Sequence, residues 1–153
     1  MPSNTIAVGD LIYEYTIHFT KVIDYGISFD ALASGKEPIP PSGARVDVEY
    51  RGECHGPKIK GAIEGVDYLY FRADRQVQVH IHAQITTEDG AKVAMFAEGV
   101  AFPVKGSHLI QLRENVTLNS AAPEYSWVNR LQIWAQGTTD PSTGEVKVKG
   151  YAA

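Results

Sequence analysis

Residues 76–90, QVQVHIHAQITTEDG, alternate without a break. Val77, Val79, Ile81, Ala83 and Ile85 fall on one face of an extended strand, and Gln76, Gln78, His80, His82, Gln84 and Thr86 fall on the other, because successive strand side chains point to opposite sides. The run ends in Glu88-Asp89-Gly90, a hairpin signal. Its polar face carries no Lys, Arg, Asp or Glu, although a strand facing plain solvent usually has some. Two imidazoles and three carboxamides side by side fit the wall of a polar cavity or an interface.

The same period recurs along the chain. Residues 10–20 place Leu11, Tyr13, Tyr15, Ile17 and Phe19 on one face, an aromatic-rich inner side for a long half-buried strand. Residues 28–34 form a short helix, with Ser28 as N-cap and Gly35 as stop. Pro38, Pro40 and Pro41 then impose a long loop. Residues 44–52 alternate again, and the glycines at 52, 56, 61 and 65 suggest a bulged, sharply bent strand. A short strand over 67–72 follows, then strands over 92–102, 107–118, 125–136 and 145–151, with a turn over 137–144. Strand after strand with short turns and no long amphipathic helix predicts an all-β fold. We read it as one antiparallel barrel of eight to nine strands spanning residues 1–153, with at most one short helix.

Length and composition agree with one globular domain: 153 residues, 44% hydrophobic and 21% charged. A net charge of −4 and an isoelectric point near 5.7 argue against nucleic acid and anionic membranes as partners, since both want clustered Lys and Arg. Cys54 is the only cysteine, so no internal disulfide forms. The segment MPSNTIAVGD has no basic start and no apolar stretch, and no run reaches the length of a membrane span. These features together predict a cytoplasmic protein.

His80 and His82 stand two apart on one strand face, about 7 Å between Cα atoms, close enough to serve one metal. Their pattern echoes the His-x-His and Glu of the cupin metal motif, with Glu88 and His108 as further donors. Glu88, however, comes six residues after His82 and falls in the hairpin turn. The expectation is therefore no metal and no cofactor. Asp67, Arg72, Glu98 and Arg113 are charged residues within strands. Where such groups face a barrel interior beside histidines, acid, base and anion-stabilising functions meet, and burial pushes a carboxyl towards working pH. Cys54 and His55 are adjacent, so they point to opposite faces and do not pair. No Gly-x-Ser-x-Gly elbow, phosphate-cradling glycine loop or Cys-x-x-Cys occurs.

Four pieces in order carry a resemblance: Gly52-x-x-x-Gly56-Pro57-x-x-x-Gly61, Gly65-Val66-Asp67-Tyr68, Thr87-Glu88-Asp89-Gly90-Ala91 and Tyr125-x-Trp127-Val128-Asn129. Over residues 43–151 they resemble the bacterial and fungal domain-of-unknown-function family numbered 3237. The resemblance implies a calycin-like antiparallel β-barrel and no settled activity. It carries Asp67, Arg113, Trp127 and Asn129 forward as site candidates, while His82 stands where relatives often have an arginine.

The combined expectation is a cofactor-independent acid/base enzyme, an isomerase, cyclase, lyase or decarboxylase, acting on a small hydrophobic or aromatic metabolite. His80 and His82 would transfer protons and Asp67 would orient them. Arg113 would hold a carboxylate or enolate, and Tyr68, Trp127 and Asn129 would shape the pocket. The alternatives are a non-catalytic binding barrel, acting as carrier or sensor, and a cupin-like metal enzyme. Apolar strand faces on a barrel exterior need a cover, which points to a homodimer.

Overall fold

Eight strands, hydrogen-bonded in chain order, close on themselves: β1 pairs with β2 and with β8, and every neighbouring pair is antiparallel. The computed structural model describes residues 7–153, so the leader-free reading of MPSNTIAVGD falls largely on residues outside that range. The strands are β1 (Leu11–Asp24), β2 (Ala44–Pro57), β3 (Lys60–Phe71), β4 (Val77–Thr87), β5 (Lys92–Pro103), β6 (Ile110–Asn119), β7 (Ile133–Asp140) and β8 (Glu145–Ala152). Among the described residues, closure leaves no edge strand. It also creates one interior, which an eight-strand barrel fills with side chains or with one small ligand.

The expected all-β, calycin-like barrel is therefore present, with corrections at three places. The glycine-rich stretch is not one bent strand. It is the hairpin of β2 and β3, and β3 begins at Lys60 rather than Asp67. Residues 125–136 are not a single strand. Pro123 starts a 3₁₀-helix, Pro123–Arg130, because its fixed φ suits a first helical turn, and β7 starts only at Ile133. The turn over 137–144 is shorter than expected, since β7 continues to Asp140.

The short helix α1 (Phe29–Ser34) forms as its caps dictate. Ser28 Oγ accepts the Ala31 N–H at 3.1 Å, and Gly35 ends the helix in the left-handed region at φ 75°. α1 closes one end of the barrel. Leu32 is buried, and the Phe29 ring meets Phe19 and Phe71 edge-on at 5.8 and 6.3 Å.

The interior is packed in rows that run across the strands. One row reads Tyr13, Gly150, Ala135, Glu114, Gly99. Its small members make room for its large ones: a Cβ on Gly150 would lie 2.4 Å from the Tyr13 ring. Another row reads Val48, Asp67, Ile81, Ala97, Val116. Alternating small and large residues is how a small barrel fills its taper.

Candidate functional site

Two carboxyl groups occupy interior positions. Asp67 is in phase with Ile63, Leu69 and Phe71 on β3, and Glu114 is in phase with Leu112, Val116 and Leu118 on β6. Both border a cavity of about 60 Å³ walled by Tyr15, Tyr50, Leu69, Ile81 and Leu112. Among the described residues, Phe29 of α1 is the one wall residue that is not on a strand, and no Lys, Arg or His lines the space.

Burial governs their electrostatics. Loss of solvation pushes Asp67 up to about 7, partly opposed by the backbone N–H of His80, which donates to Asp67 Oδ1 at 3.1 Å. Glu114 is pushed up to about 8, first by burial and then by the negative charge of Asp67. Among the described residues, neither Glu114 oxygen nor the hydroxyls of Tyr13 and Tyr50 has a hydrogen-bond partner. Glu114 and Tyr50 border the cavity, whereas Tyr13 does not. The phenols of Tyr13, Tyr15 and Tyr50 are held well above their ordinary range by burial and by these carboxyls. They are therefore neutral hydrogen-bond donors. Cys54 is also interior. Its thiol donates to the Ile59 carbonyl, and burial raises it to about 11, so it is no nucleophile.

The seven residues singled out from sequence do not converge. Asp67 alone reaches the interior. The apolar face of β4 points inward, so His80 and His82 lie on the outer surface, where their Nε2 atoms are 3.2 Å apart. Asp67 touches the His80 backbone and not its ring, so it does not orient the imidazole. Tyr68 is on the outer face beside the histidines, 5.9 Å from the His82 ring. Arg113 is also outside, its guanidinium held by Gln111 Oε1 and the Leu112 carbonyl and stacked over Phe102. Trp127 is exposed on the 3₁₀-helix. Asn129 ties that helix to the end of β6, accepting the Ser120 N–H and donating to the Ser120 carbonyl, at 2.7 and 2.8 Å. Glu88 and His108 stand apart from the histidine pair, and no three His, Cys, Asp or Glu side chains converge on a metal position among the described residues. Glu114 and Tyr50 were not singled out as a site. The signal for Glu114 was its place in the apolar phase of β6, between Leu112 and Val116.

The comparisons agree with the architecture. A family model described as "Protein of unknown function (DUF3237)" matches residues 27–153. No curated protein matches the chain. A protein of unknown function from Clostridium acetobutylicum is 20% identical, with TM-score 0.76 over 94% of this chain and 97% of its own. A β-barrel-like protein from Acinetobacter baumannii is 16% identical, with TM-score 0.73 over 99% and 98%. A protein described as an enzyme from Penicillium herquei is 15% identical, with TM-score 0.59 over 98% and 99%. At these identities the likeness is one of fold. Among the described residues, no helix is long and apolar enough to cross a membrane.

Proposed function

The chain belongs to the DUF3237 family, and we propose that it is a cofactor-independent acid/base enzyme whose reaction takes place inside the barrel. One observation carries the reading: Asp67 and Glu114 share an apolar cavity with their proton affinities raised to about 7 and about 8. A general acid and a general base work best with pKa values near the working pH, and carboxyls in differing environments divide the two roles.

Asp67, the more acidic of the two, is the base, and Glu114 is the acid. Asp67 takes a proton from a carbon or hydroxyl of the substrate. Glu114 delivers one to another atom, and the neutral phenols of Tyr15 and Tyr50 donate hydrogen bonds to the oxygen where charge gathers. The substrate is isomerised or cyclised with no net gain or loss of protons. One proton then returns from Asp67 to Glu114 through solvent and resets the pair. With no basic group in the wall among the described residues, the site favours a neutral substrate. The cavity is small, about 60 Å³, and Phe29 of α1 borders it.

The test is solvent deuterium incorporation into a panel of small enolisable ketones and phenols, read by mass spectrometry. The expected result is incorporation by the wild type that is lost in both Asp67→Asn and Glu114→Gln. Exchange that persists in both variants overturns the assignment. Ligand binding without exchange in the wild type identifies a carrier instead.

A further inference from the structure

The outer face of β4 carries an arrangement that the interior chemistry does not use. Across β3, β4, β5 and β6 one outward row reads Val66, His82, Phe96, Thr117, and one step along a second reads His80, Glu98, Asn115, with the Tyr68 ring 6.3 Å from the His80 ring. His80 and His82 turn their Nε2 atoms towards each other at 3.2 Å. Two imidazole nitrogens bound to one tetrahedral Zn²⁺, each roughly 2.0–2.1 Å from the ion, are about 3.3–3.4 Å apart. The pair is thus spaced as a chelate before any ion arrives.

Its surroundings hold that spacing. Glu98 Oε1 lies 3.5 Å from His80 Nδ1. A carboxylate on the Nδ1 side of the ring, away from Nε2, is the usual partner of a metal-bound histidine. The His82 ring is wedged between Phe96 at 5.0 Å and Tyr68 at 5.9 Å, both edge-on. Both rings are exposed, so an ion reaches them from solvent and completes its shell with water.

We propose that His80 and His82 form a two-ligand site for a divalent transition-metal ion on the outer wall of the barrel, with Glu98 as the positioning residue for His80. The donor set is all imidazole, which suits Zn²⁺, Ni²⁺ or Cu²⁺ rather than Mg²⁺ or Ca²⁺.

Zn²⁺ titration of the untagged, chelator-treated protein by calorimetry tests the site. The expected result is one ion per chain, with binding lost in His80→Ala and in His82→Ala. Glu98→Gln weakens binding about tenfold, and His18→Ala, on a distant strand, leaves it unchanged. Cu²⁺ bound to the wild type should show two equatorial nitrogens by electron paramagnetic resonance, a readout independent of folding or turnover. Binding that survives in His80→Ala and His82→Ala variants of unchanged Tm overturns the proposal. So does a wild type that takes up no Zn²⁺, since the two rings then only hydrogen-bond to each other.

Discussion

The Asp67 carboxylate accepts the backbone N–H of His80 at 3.1 Å, at a place where the barrel wall has no ladder bond to offer. The β3–β4 pairing runs from Gly61↔Thr87 to Asp67↔Ile81 and resumes only at Tyr70↔Gln78. Tyr68 and Leu69 thus stand opposite a gap, and a side chain from inside the barrel satisfies the free N–H. The same carboxyl closes the wall and faces the cavity.

The two duties separate by substitution. Asp67→Asn keeps an oxygen acceptor for the His80 N–H and removes the ionisable group. The expected variant folds with a Tm close to wild type and has no turnover. Asp67→Ala leaves a backbone donor unpaired and should cost roughly 1–3 kcal/mol as well. Thermal melts beside a deuterium-exchange assay distinguish the two.

Turnover should depend on pH as a bell. Asp67 must be ionised, so the rate rises through about 7. Glu114 must hold its proton, so the rate falls above about 8. The two groups interact, so the limbs belong to the pair. A pH–rate profile measured with any substrate found to exchange checks this, and Glu114→Gln should remove the alkaline limb together with most of the rate.

Stability should fall as pH rises from about 4 to about 8. Both folded-state pKa values lie above those of the unfolded chain, near 4 for carboxylic acids, so the native state holds these protons longer. The contribution of each group is complete below pH ~4 and declines by about 1.4 kcal/mol per pH unit. It levels off above about 7 for Asp67 and about 8 for Glu114. Urea unfolding at several pH values should show this slope in the wild type and a flatter one in Glu114→Gln. Equal slopes would place Glu114 in water.

Gly99→Ala should damage the site through the backbone. Gly99 pairs with Glu114, and a Cβ there would lie 1.9 Å from the Arg113 carbonyl oxygen. No side chain can yield at that contact, so β5 and β6 must part. The expected cost is roughly 1–3 kcal/mol, with loss of turnover as Glu114 is displaced. Ala97→Gly, one interior position along, should leave Glu114 in place, and comparing the two in melts and activity isolates the effect.

Most strands were legible from period alone, because a strand that is wet on one side and packed on the other must alternate. Ser28 and Gly35 likewise announced α1, since caps are local chemistry. The 3₁₀-helix was not legible: Tyr125 and Trp127 mimic alternation, and only Pro123 hinted otherwise. Alternation alone gives residues 76–86 an apolar face and a histidine face. Only closure of the barrel decided that the apolar face turns inward, because the interior must be sealed from water on every strand at once. That same closure carried Asp67 and Glu114 inside with their apolar neighbours. Their raised proton affinity arises from the shared cavity, formed by residues far apart in the chain, and no local pattern contains it.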